Sequence, residues 1–126
     1  MYKVNIFVDD VRNCPQHPSW FLARSAEGAL ELMRTFRGRV GVLSLDHDLG
    51  DRGIPEKHGK WLVNQLVAEG LFADTIYLHS ANSEGRRNMY LYLTQAKQVG
   101  VIPPAVRIIN GPHPSFNLTT GELLFE

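Results

Sequence analysis

Val40-Gly41-Val42-Leu43-Ser44-Leu45-Asp46-His47-Asp48 is the stretch on which the fold turns. A short, largely apolar run stops abruptly on three ionisable residues. Parallel strands covered on both faces read as near-continuous apolar runs. In open α/β sheets, ligands bind beyond the carboxyl ends of the strands, where the strand order reverses. The same pattern occurs twice more. Val4–Val8 runs into Asp9-Asp10, with Arg12 close behind, and Ile76–Leu78 runs into His79-Ser80, with Asn82 following.

The intervening chain supplies the crossovers. Tyr2–Val8 reads as a first strand, Val11–Ser19 as a loop with at most one helical turn, and Trp20–Ala23 as a short second strand. Ser25 is placed to cap a helix running to about Phe36, with Ala26, Ala29, Leu30 and Met33 on one face. Helices are also expected over Lys57–Leu71 and from Ser83 to Val99, with strands at Val40–Leu45, Thr75–Leu78 and Val106–Ile109. Strands alternating with helices require parallel pairing through right-handed crossovers. The expected fold is a three-layer, doubly wound α/β sandwich with a five-stranded parallel sheet of order 2-1-3-4-5 and a reduced first helix. The chain reads as one domain over residues 1–126, with 111–126 a C-terminal extension or edge hairpin around Thr119–Gly121.

Bulk properties exclude more than they assign. With 126 residues, 44% hydrophobic, 21% charged and a formal net charge of zero, the chain is long enough for one core and has no electrostatic pull towards nucleic acid in general. No apolar stretch is long enough to span a membrane, and no signal-peptide pattern opens the chain. The single cysteine, Cys14, cannot form an internal disulfide, so a cytoplasmic location is expected. The oligomeric state is not legible.

In the order 2-1-3-4-5 the three clusters meet at one edge. Carboxylates brought close raise one another's pKa unless a cation intervenes. A hard divalent ion relieves the repulsion, and magnesium in particular takes one or two carboxylates, keeps waters and completes its shell with phosphate. Asp10 and Asp46 are the first choices as ligands and Asp9 the next, with Asp48 contributing its side chain or only its carbonyl. Any one of these aspartates alone is more often a cap or turn residue; the set at adjacent strand ends is not so readily explained.

His79 and His47 are the candidates for proton transfer near neutral pH. Along an extended chain, residues 46 and 48 share a side and 47 points the other way, so His47 is as readily an orienting group beneath the pocket. Ser80 could donate to a phosphate oxygen. Asn82 or Ser83 should cap the third helix. Cations in the first turns of a helix oppose its dipole, so Arg86, with Asn88, points to an anion bound there, whereas Arg87 reads as a solvated surface residue.

The arrangement from Val4 to about Asn110 resembles the receiver domain of response regulators. In that resemblance Asp9-Asp10 matches the acidic pair, Asp46 the phosphoacceptor and Ser80 the hydroxyl residue after strand four. Where receivers carry a lysine after strand five, this chain has Ile109-Asn110-Gly111-Pro112, and there is no clear fifth helix. The motifs Asp9-Asp10-Val11-Arg12, Ser44-Leu45-Asp46-His47-Asp48-Leu49-Gly50 and His79-Ser80-Ala81-Asn82, followed by Gly85 and Asn88, are more similar to a divergent branch, the cyclic-phosphate processing receiver-like family. This resemblance implies a metal-dependent phosphoesterase acting on a small cyclic phosphate, nucleotide-like or ADP-ribose-like. Asp9, Asp10, Asp46 and Asp48 would hold Mg²⁺ or Mn²⁺. His79, His47 and Asp46 would be catalytic, and Arg12, Ser80, Asn82, Arg86 and Asn88 would bind substrate. The alternatives are a signalling module phosphorylated on Asp46 and a non-catalytic, metal-dependent nucleotide sensor.

Overall fold

A computed structural model describes residues 3–10, 14, 18–49, 58–80 and 82–111. Five strands, β1 (Val4–Val8), β2 (Trp20–Ala23), β3 (Val40–Leu45), β4 (Thr75–Leu78) and β5 (Arg107–Asn110), form one sheet in the order β2-β1-β3-β4-β5. Every pairing is parallel. The helices are α1 (Ala26–Thr35), α2 (Gly59–Glu69) and α3 (Ser83–Gln98). The expected sheet order and strand positions are therefore present; β5 is displaced by one residue towards the C-terminus.

Local chemistry sets the helix ends. Ser25 caps α1 by accepting from the Gly28 N–H at 3.1 Å. The second helix is shorter than its apolar pattern suggests, because His58 caps it and Gly70 ends it in the left-handed conformation, φ 67°. Asn82 caps α3, its Oδ1 accepting from the Gly85 N–H at 2.9 Å.

The connections β2→β3, β3→β4 and β4→β5 all step the same way across the sheet. Right-handed crossovers then place α1, α2 and α3 on one face. That face carries Ile6, Val8, Leu43, Leu45, Ile76 and Leu78, packed in one core with Leu30, Met33, Leu62, Leu66, Met89 and Leu93. Each such side chain contributes on the order of 2 kcal/mol by leaving water. The opposite face presents Phe7, Ser44 and Tyr77 in one row, all buried. Trp20 meets the edge of Phe7 there. The second helical layer expected on this face, and the hairpin expected around Thr119–Gly121, lie outside the described residues. Among the described residues, no helix is long and apolar enough to cross a membrane.

Candidate metal and phosphate site

At the carboxyl edge the sheet's hydrogen-bond ladder continues one step beyond each strand. The Asp9 N–H donates to Ala23 O (3.1 Å), Asp46 N–H to Val8 O (3.0 Å), His79 N–H to Leu45 O (3.0 Å) and Gly111 N–H to Leu78 O (2.9 Å). Asp9, Asp46 and His79 thus stand in a row, one residue past three neighbouring strands. Side chains two apart share a face, so Asp9 follows Phe7, Asp46 follows Ser44 and His79 follows Tyr77 onto the face away from the helices. A ligand atom from each of these three residues lies within 4.8 Å of the others, an arrangement that could hold a metal ion.

Of the acidic pair, Asp9 enters this cluster and half-buried Asp10 stays outside it. The sequence reading named Asp10 ahead of Asp9 as a ligand; Asp10 is the second residue past the end of β1. Asp9 is 1% exposed and His79 is fully buried. His79 Nε2 lies 3.0 Å from Asp9 Oδ2 and its Nδ1 lies 2.7 Å from Ser44 Oγ. Its ring stacks on Phe7, with centroids 4.7 Å apart and planes 5° from parallel. His79, read from the sequence as an acid or base, has both ring nitrogens engaged.

Burial, first of all, pushes the Asp46 carboxyl above the ordinary carboxylate range, and the nearby Asp9 adds to it. The Ser80 hydroxyl and the His79 ring pull the other way. Two carboxyl groups crowded in a half-dry edge are a donor set that suits a divalent cation.

Asp48 is not in the cluster that could hold the ion. The chain leaves the strand after Leu45, and the Asp48 N–H turns back towards Asp46 Oδ1 at 3.4 Å. Asp48 Oδ1 instead meets His47 Nδ1 at 2.8 Å and accepts from Asn82 Nδ2 at 3.1 Å. His47's hydrogen bond, then Asn82's, holds the Asp48 carboxyl below its ordinary range. His47 stacks on His58 with centroids 4.6 Å apart. The Gly59 N–H donates to His47 O at 2.8 Å. These contacts need two glycines. A Cβ on Gly85 would lie 2.5 Å from His47 Cγ, and one on Gly59 would lie 2.6 Å from Asp46 O.

The proposed substrate-binding residues divide. Ser80 is buried, and its Oγ accepts from the Asn82 N–H at 3.1 Å. Arg86 donates through Nε to Asn110 Oδ1 at 2.6 Å and through Nη1 to Ser80 O. A cation early in α3 is thus accommodated by a carbonyl and an amide from two strand ends. Asn88 is exposed and lines a groove along α3 with Ser83, Glu84, Arg87 and Leu91. Arg12 lies outside the described residues.

Sequence reasoning missed Arg24, which donates to Asp9 O at 3.2 Å, and the part played by Ser44. For Arg24 the available signal was a basic residue directly after β2, beside the end of β1. For Ser44 it was a hydroxyl inside an otherwise apolar strand.

The family model of the cyclic-phosphate processing receiver domain matches residues 4–95, and the chain belongs to that family. No curated protein and no solved structure matches it.

Proposed function

We propose that this cyclic-phosphate processing receiver domain is a metal-dependent phosphoesterase that opens a cyclic phosphate on a small, nucleotide-like substrate. The observation that carries the reading is the row Asp9–Asp46–His79 at the carboxyl edge, with ligand atoms within 4.8 Å and an Asp46 carboxyl raised by burial. Asp9 and Asp46 would hold a divalent cation of the Mg²⁺ or Mn²⁺ class, which would supply a Lewis acid for a phosphate oxygen and lower the pKa of water.

The chain's own residues supply binding and proton transfer. In ring opening, water oxygen bonds to phosphorus, one of the two ring P–O ester bonds breaks, and the departing oxygen takes a proton. His47, held by Asp48 through its Nδ1, is the candidate proton carrier in this reading and reaches the phosphate through water from the other side of the end of β3. Ser80 and Asn82, with Arg86 and Arg12, frame the phosphate. His79 serves the site from beneath.

A test is hydrolysis of nucleoside cyclic phosphates of both ring sizes and of ADP-ribose cyclic phosphate, with Mg²⁺, Mn²⁺ or EDTA. Metal-dependent product that Asp46→Asn abolishes supports the reading. Absence of product, together with stable labelling of wild-type Asp46 by a small phosphodonor, transfers the assignment to a signalling module. Tight binding of a cyclic nucleotide without product over hours selects a sensor.

A further inference from the structure

His79 reaches further than its place in the sheet requires. It follows β4, yet its Nε2 meets Asp9, which follows β1, and β3 lies between those two strands. Strands are spaced about 4.8 Å apart, so the ring spans roughly 10 Å of sheet edge together with the Asp9 side chain. Its path crosses β3 at Ser44, where the side chain is small and carries a hydroxyl. All three residues are essentially sealed from solvent: Ser44 and His79 at 0% exposure and Asp9 at 1%. A buried polar chain of this kind is worth keeping only if every member is satisfied.

The polarity of the chain follows from its ends. With Asp9 ionised, its carboxylate only accepts, so the proton between His79 and Asp9 sits on Nε2. This holds whether the ring is neutral or charged. The Ser44 hydroxyl can either donate to Nδ1 or accept from it, and so completes the chain in both states. The Phe7 ring, nearly parallel to the imidazole, fixes its plane.

We propose that His79 is a positioning residue: locked by Ser44 and Phe7, it donates Nε2–H to Asp9 Oδ2 and fixes the plane of that carboxylate for a cation held through oxygen. This deepens the metal reading given above and rests on it for the cation. A nitrogen that carries a proton cannot ligate, so His79 is removed from the coordination sphere. What remains is a carboxylate set of the kind that suits a hard ion with bound waters, in contrast to the nitrogen and sulfur sets that select zinc. Outer partners that orient a ligand typically change metal affinity by about 10–100-fold when removed.

The test has two arms. In the first, nitrogen NMR of the metal-free protein at neutral pH reads the protonation of the two His79 ring nitrogens. Nε2 should carry hydrogen in the wild type, and Ser44→Ala should broaden or mix the ring signals. In the second, Mn²⁺ alone is titrated by calorimetry, and electron spin-echo modulation reads whether an imidazole nitrogen is bound directly. His79→Leu should weaken Mn²⁺ by roughly 10-fold or more, whereas His79→Gln, whose amide N–H occupies the place of Nε2–H, should stay within about threefold of wild type. No directly bound imidazole nitrogen should appear. A bare Nε2 in the metal-free wild type, a directly coupled imidazole nitrogen with Mn²⁺, or equal losses in His79→Gln and His79→Leu would overturn the assignment. If wild type binds no Mn²⁺, the metal reading falls, and the ring-nitrogen signals still decide whether His79 donates to Asp9.

Discussion

Asp46 and His47 are neighbours in sequence, yet they finish on opposite sides of the end of β3 in environments of opposite character. Asp46 joins a dry cluster whose groups are held by the sheet: its ladder bonds, the Ser44–His79–Asp9 chain and the Phe7 ring. His47 joins a wetter one whose groups are held by helix starts: the capped ends of α2 and α3, the His58 ring and an Asp48 side chain that is 62% exposed. On the first side burial gathers carboxyl groups that could hold a cation. On the second, ordinary hydrogen bonds satisfy the charges already present. The comparison teaches that one motif, Asp46-His47-Asp48, is two devices. One collects ligand atoms, and the other clamps the helices that frame them.

The largest effects should come from forcing the two sides apart. Gly59→Ala places a Cβ against backbone, 2.6 Å from Asp46 O and 2.8 Å from His47 Cα, and neither atom can swing away. A loss near the upper end of the overpacking range, about 3 kcal/mol, is expected in denaturant unfolding. Gly85→Ala instead meets a side chain, the His47 ring. It should cost about 1–3 kcal/mol, and adding His47→Ala should recover most of that loss. The same addition should not rescue Gly59→Ala. Equal rescue of both would remove the distinction between a backbone clash and a ring clash.

Next comes the dry side alone. The folded-state pKa of Asp46 is raised, so the folded protein binds more protons than the unfolded chain as pH climbs above the ordinary value of 3.8. Stability from this group therefore falls through that window and stays lowered at neutral pH. In EDTA, Asp46→Asn should be more stable than wild type at neutral pH by up to about 1 kcal/mol, a gain reduced because the group is only partly buried. The advantage should vanish in acid below the ordinary value. With Mn²⁺ the order should invert, because wild type gains stability by binding and the variant loses a ligand. Thermal unfolding with and without metal checks both signs; a variant less stable in EDTA would show that Asp46 is not under strain.

Much of this is legible in the sequence alone. Apolar runs ending on Asp9, Asp46 and His79 mark buried parallel strands and the edge where they deliver a site, and alternation alone put Asp46 and His47 on different sides. Register was not legible. Nothing in the order of residues says that His79 crosses β3 over Ser44, since that follows from which residues pair across three strands. Nor could sequence choose between Asp9 and Asp10, because the choice depends on where β1 stops alternating. For Asp48, the extended geometry that would place it beside Asp46 ends with β3 at Leu45. The cap at His58 has no strong sequence signal either, because histidine is not among the preferred caps.

His58 tests the wetter side through pH. Burial first, and the charge of His47 second, lower its pKa from the ordinary 6.5; Lys60 acts the same way and Asp48 opposes. The unfolded chain therefore takes up a proton first as pH falls below 6.5, and stability drops in that window. His58→Ser, which retains a cap and removes the charge, should flatten this slope by less than about 1 kcal/mol across the window. A slope unchanged in the variant would assign the acid sensitivity to another group.

The smallest effect belongs to Asp48, and it closes the comparison because its pKa shift runs opposite to that of Asp46. His47's hydrogen bond, followed by Asn82's, depresses its folded-state pKa below 3.8. The stability it contributes is fully present above that value and is lost as pH falls through the folded one. Exposure and salt screening limit the contribution to about 0.5 kcal/mol. Asp48→Asn keeps an acceptor for both neighbours and removes only the charge. The variant should lie slightly below wild type at neutral pH, converge with it in strong acid and converge again in high salt. Asp46→Asn in EDTA should show the reverse sign over the same acid range, so unfolding of both variants along one pH series separates a carboxylate that needs a cation from one already satisfied. If both shifts carry the same sign, the division of the motif into two devices fails.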